Sequence, residues 1–162
     1  MTRLPVLAAL GAALIALGTF LYVSRAASYA GTQAATCNNC HVMDAMYENW
    51  YHAAHEPWAV CVDCHLPHDN PVHYYFEKAR TGFHDVYVFG SGSTPALIRA
   101  GPDSEGIIQD NCIRCHAPAV EEIMAGVQPM DRNCWDCHRN VAHGPRGLSL
   151  VPYQDSILYP VK

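Results

Sequence analysis

The hydrophobic pattern of this chain is most regular at its start, where the 20 residues from Leu4 to Val23 carry no charge and are bounded by Arg3 and Arg25. At ~1.5 Å rise per residue this stretch predicts a helix of ~30 Å, the thickness of a bilayer's hydrocarbon core. A cleaved signal peptide is the competing reading, and Ala26, Ala27, Ala34 and Ala35 offer small residues for cleavage. A signal h-region runs only ~7 to 15 residues, so the length favours an uncleaved anchor. The pattern divides the chain into an anchor over residues 1–25 and an extramembrane domain over 26–162. Farther on, Val72 to Phe89 mixes aromatic, aliphatic and charged positions without proline and predicts a helix ended by Gly90-Ser91-Gly92-Ser93. Thr94-Pro95 predicts a cap and first-turn proline for a short helix to Ala100. Pro118 to Gly126 follows the same grammar, with Glu121 and Glu122 early and Gly126 as a stop.

Elsewhere the polar pattern is set by cysteine. Cys-X-X-Cys-His occurs four times, at Cys37–His41, Cys61–His65, Cys112–His116 and Cys134–His138, and these motifs use all eight cysteines. Random placement of this composition gives about 0.02 copies. Thiols three positions apart suit the two vinyl groups of one haem, with the adjacent histidine beneath the iron. Cys37, Cys40, His41, Cys61, Cys64, His65, Cys112, Cys115, His116, Cys134, Cys137 and His138 are therefore the expected attachment residues for four covalent haems c. A four-thiolate zinc site does not need the trailing histidine, and disulfides closed within each motif would staple only trivial loops.

Composition agrees. The 139 residues beyond Val23 leave about 35 per haem, too few for a layered core around each, so the macrocycles must form much of the interior. Eleven Pro and eleven Gly favour short helices and irregular connections over sheet. The expected fold is mainly α with much irregular structure. Spacings of 24 residues from Cys37 to Cys61 and 22 from Cys112 to Cys134 suggest two dihaem units. A net charge of -5 and a pI near 6.0 carry no nucleic-acid footprint. Thioether attachment is extracytoplasmic chemistry, which puts the haem domain in a periplasm-like space.

Six histidines lie outside the motifs: His52, His55, His68, His73, His84 and His143. His55 precedes the second motif by six residues and His143 follows the fourth by five, so these two are the expected distal ligands opposite motif histidines such as His65, His116 and His138. His52 is one helical turn from His55, and His68, His73 and His84 are expected to support the haem surroundings or face solvent. Tyr47, Trp50, Tyr51, Trp58, Tyr74, Tyr75 and Tyr87 are expected chiefly to pack on haems, the alternative being a membrane interface or a partner surface. Met43 extends the first motif to Cys-X-X-Cys-His-X-Met and is either an iron ligand or an apolar neighbour of the macrocycle.

The anchor, the four motifs in two pairs, Met43, and Lys78 with Asp85 in the segment Glu77 to Tyr87 together resemble the NapC/NirT/NrfH family of membrane-anchored tetrahaem quinol dehydrogenases. The short tail after His143 makes the chain most similar to the family's nitrite reductase small subunits. The resemblance implies that Met43 holds the haem nearest the membrane, that Asp85 stands over its other face without binding strongly, and that Lys78 lines a quinol site. In such subunits a lysine of the same chain can replace a distal histidine. The resemblance further implies a single-pass protein of the inner membrane that oxidises menaquinol. Its electrons go to a periplasmic multihaem reductase, the nitrite reductase catalytic subunit, within a membrane-bound hetero-oligomer. Lys78 and Asp85, seven residues apart, are two turns or ~10 Å along one helix face. The alternative function is a tetrahaem carrier with no quinol site of its own.

Overall fold

The computed structural model describes residues 3–95, 98–127 and 132–144. Its described elements are helical, linked by turns and irregular chain. α1 (Arg3–Val23) is a continuous 21-residue helix with a mean hydropathy of 2.3 over its most apolar window and no buried residue. Helix geometry gives it ~31 Å, enough to cross a bilayer. It ends where Arg25 takes a left-handed conformation (φ 52°), and a 3-10 turn over Ala26–Ala30 redirects the chain.

The body consists of α2 (Ala34–Cys37), α3 (Asp44–Tyr51), α4 (Cys61–His65), α5 (Pro71–Gly90), α6 (Pro102–Glu122) and α7 (Cys134–Cys137). Asn70 starts α5 by accepting a hydrogen bond from the His73 amide at 2.8 Å, with Pro71 in the first turn. The helix read from Val72 to Phe89 is thus present, extended one residue at each end. The short helix expected after Thr94 is absent from the described residues there: 94, 95 and 98–100 are irregular, and 96–97 lie outside the described residues. The helix expected from Pro118 begins instead at Pro102. It runs through the third haem motif and kinks at His116 (φ -104°, ψ 15°), two residues before Pro118. That proline lacks the amide hydrogen that a continuous helix would use, which accounts for the break. A π-helical turn over Ile123–Val127 follows α6, and the expected stop Gly126 lies inside it with φ 109°.

Few apolar residues among those described are buried: Ala34, Trp50, Val62, Leu66 and Pro67. Polar groups do much of the joining instead. Asn111, 6% exposed, donates from Nδ2 to the carbonyls of Cys64 (3.0 Å) and Leu66 (2.8 Å), fastening α6 to α4. Arg114 donates to Asn111 Oδ1 and to the Asp63 carbonyl across the same seam. Asn49, 1% exposed, donates to the His143 carbonyl at 2.8 Å, tying α3 to the chain after α7. Such buried amides are costly if left unpaired, so these bonds fix register where apolar burial is thin.

Candidate functional site

Each Cys-X-X-Cys sits on or beside a helical turn, where residues three apart share a face, so each thiol pair points one way. In the second and fourth motifs the residue before the second cysteine is aspartate. Asp63 accepts from the Val60 amide at 2.9 Å and Asp136 from the Asn133 amide at 3.0 Å, so each motif carries its own N-terminal cap. The fourth motif also hangs on α6, through Cys134 N–H to Gln109 Oε1 at 2.9 Å. In the first motif Asn39 donates to Ser28 Oγ at 3.3 Å, anchoring the turn to the juxtamembrane segment.

None of the eight cysteines is tied up in a disulfide, so all are available for attachment. Cys37 and Cys61 hydrogen-bond to each other, as do Cys112 and Cys134, so neighbouring motifs touch within each half. The Cys61 bond lowers the Cys37 thiol to about 7 and raises Cys61, whereas burial pushes Cys112 up to about 11. Among the described residues no three His, Cys, Asp or Glu side chains converge as a zinc centre would need.

Two histidine pairs test directly whether these residues fit haem. His65 faces His143 with ring centres 6.0 Å apart, and His55 faces His116 at 6.1 Å. Two imidazoles on opposite sides of one metal, each with nitrogen about 2.0 Å from it, have ring centres about 6.3 Å apart. Both outlying rings are also oriented from behind. His143 Nδ1 lies 3.0 Å from the Met46 carbonyl and His55 Nδ1 lies 3.3 Å from the Val141 carbonyl. A carbonyl can only accept, so Nδ1 carries the proton in each case and Nε2 keeps its lone pair. Desolvation by the groups packed around them lowers the pKa of both His65 and His143, which favours neutral rings. The residues fit iron held between paired imidazoles. Both pairs cross between the halves of the chain.

The other four spare histidines have different neighbours. His52 lies 3.7 Å from Glu48, His73 2.9 Å from Asp69, and His84 3.4 Å from Asp85. His68 approaches the Val62 carbonyl at 3.2 Å and the Tyr74 ring at 5.7 Å.

The first motif is built differently. His41 meets Phe89 edge-on at 5.8 Å, while Met43 closes the 3-10 turn His41–Met43 and leads into α3. Lys78 donates to the Gly31 carbonyl and stands 5.6 Å over the Tyr74 ring. Burial lowers the Lys78 pKa, and the Lys78 charge reaches Cys37. The Asp85 charge acts on both Cys37 and Cys40, and its carboxylate is 79% exposed. The structure therefore brings Lys78, Asp85 and the first motif together at the foot of α1. Of the aromatic residues, Trp50 is buried and donates to the Ala59 carbonyl, whereas Trp58, Tyr75 and Tyr87 are largely exposed. Sequence reading missed Asn49 and Asn111, whose only signal is a polar residue that the fold happens to bury.

Comparison with known proteins agrees with this arrangement. Residues 2–96 match the model of the NapC/NirT cytochrome c family, N-terminal region. The cytochrome c-type protein NrfH of Wolinella succinogenes is 36% identical over 152 residues, covering 85% of this chain and 86% of that protein. The cytochrome c nitrite reductase subunit NrfH of Nitratidesulfovibrio vulgaris is 34% identical over 107 residues, 66% of this chain and 65% of that one. Among solved structures, a cytochrome c nitrite reductase NrfHA complex bound to the inhibitor HQNO contains a chain that matches with a TM-score of 0.63 and 30% identity, over 86% of this chain and 90% of that one. With its four attachment turns, apolar N-terminal helix and these relatives, the chain belongs to the NapC/NirT family of haem c cytochromes and is most like its NrfH members.

Proposed function

We propose that this protein is the membrane quinol dehydrogenase of a nitrite reductase complex. In this reading it carries four haems c on Cys37/Cys40, Cys61/Cys64, Cys112/Cys115 and Cys134/Cys137, oxidises menaquinol, and passes electrons to an NrfA-type catalytic subunit. Residues 1–25 are the anchor and residues 26–162 the periplasmic haem domain. The NrfH relatives and the NrfHA complex support the partner. The observation that carries the quinol assignment is the convergence of Lys78 and Asp85 on the first motif, at the junction with the apolar helix.

His65 with His143, and His116 with His55, would hold the irons of two haems, and Met43 would serve the first. His138 serves the fourth. When bound, the haems supply one-electron acceptors in series. Oxidation of one quinol releases two electrons and two protons, and this chain's residues handle the protons and the ring. Lys78, an ammonium with donors only, hydrogen-bonds a quinol oxygen and holds the ring against α5. Asp85, open to solvent, takes the two quinol protons in turn and releases each to water on the periplasmic side. Asn49 and the Met46 and Val141 carbonyls hold the imidazoles in place.

Two measurements on purified protein in detergent test this reading: haem counting by intact mass, and reduction by a menaquinol analogue. Four haems, residues 1–27 retained, and quinol-driven reduction are expected. Reduction by dithionite but by no quinol would leave an electron carrier.

A further inference from the structure

α5 buries one face and exposes the other, and the exposed face is apolar. Glu77 is buried beneath Arg80, whose guanidinium donates to Glu77 at 2.7 Å and lies 3.5 Å from Asp103 on α6. Tyr74, Lys78, Asp85 and Phe89 face the first motif. Opposite them, at helical spacings of three, four and seven, lie Val72, Tyr75, Phe76, Phe83, Val86 and Tyr87, exposed from 59% at Tyr75 to 81% at Val72. No charged residue interrupts this stripe over more than four turns, and Lys78 and Arg80 flank it on its two sides. The first motif lies on the other side of the helix, against Lys78, Asp85 and Phe89.

We propose that α5 is a second membrane contact, lying along the bilayer surface with this stripe sunk among lipid headgroups and upper acyl chains. Continuity with the anchor chooses lipid over a protein partner. The Lys78 bond to the Gly31 carbonyl pins the middle of α5 only eight residues beyond Val23, where α1 leaves the membrane. An amphipathic helix with aromatic and aliphatic residues on one face and flanking basic residues is the form that lies in the interface, reaching ~5–10 Å inward. This proposal deepens the quinol reading: Lys78 and Asp85 sit on a helix resting on the lipid, so a quinol with a long isoprenoid tail reaches them without leaving the membrane.

The test places photoreactive benzoyl-phenylalanine at Phe83 in the full-length, haem-loaded protein, with His84, exposed on the helix flank, as the comparison position. Irradiation of native membranes followed by peptide mass spectrometry should give lipid adducts at position 83 at several-fold higher yield than at 84. Cross-links from 83 to a reductase subunit or to a second copy of this chain, or equal yields at the two positions, would overturn the proposal. A second readout is Phe83→Ser in nanodiscs, which should slow oxidation of a long-tailed quinol at least threefold while a short-chain, water-soluble quinol is oxidised at the wild-type rate. Equal slowing of both quinols would also overturn it. Should the wild type oxidise neither quinol, the quinol reading falls while the cross-linking result still decides the lipid contact.

Discussion

The second and third motifs differ from the first in what stands over the motif histidine. His65 and His116 each face another imidazole about one metal's width away, and backbone carbonyls fix both opposing rings. His41 instead meets the Phe89 ring edge-on, and Lys78 and Asp85 bring their charges to its motif. A centre closed on both faces can pass electrons but cannot admit a substrate. A centre with a weak or open face, near a proton acceptor and an apolar surface, can meet a quinol. The sites share the same five-residue motif, so in the proposed reading the residues brought to the distal side divide the labour.

Substitutions at the open site should break the contrast most strongly. Asp85→Asn keeps the shape of the side chain but removes its basicity, so quinol turnover should fall about 100-fold while quinol affinity changes little. Steady-state kinetics across pH would separate the two effects. Met43→His would make the first centre resemble the inner ones, and its potential should drop by on the order of 100 mV in a spectroscopic redox titration. Lys78→Leu removes a charged donor and should raise the quinol KM about 10-fold with all four haems retained, as read by mass and kinetics. The smallest effect belongs to the closed side. Asn49→Ala leaves the His143 segment without its side-chain bond and should cost about 1 to 2 kcal/mol of stability in thermal or denaturant unfolding, with quinol turnover preserved.

Much of this contrast was legible in the sequence because it rests on covalent and helical spacing. Cys-X-X-Cys-His specifies attachment by distance along the chain, and the Leu4–Val23 run specifies a spanning helix by length. The bounds of α5 were legible from its punctuation, Pro71 at one end and Gly90-Ser91 at the other. The course of α6 was not. A proline after a haem motif reads as a helix start, whereas the chain carries the helix through the motif and takes up the proline with a kink at His116. Nor could spacing show that His55 faces the third motif and His143 the second. Those contacts span 61 and 78 positions, and they depend on Asn111 and Arg114 locking α6 onto α4. They also knit the two apparent halves into one unit.

Low-temperature electron paramagnetic resonance of the oxidised, detergent-purified protein, recorded with and without a quinol analogue, tests the open-and-closed account most directly. One high-spin ferric signal, from the first haem, should shift when the analogue binds and lose that response in Lys78→Leu, while the low-spin signals of the paired-histidine haems stay fixed. An oxidised spectrum that is entirely low-spin and indifferent to the analogue would contradict the account.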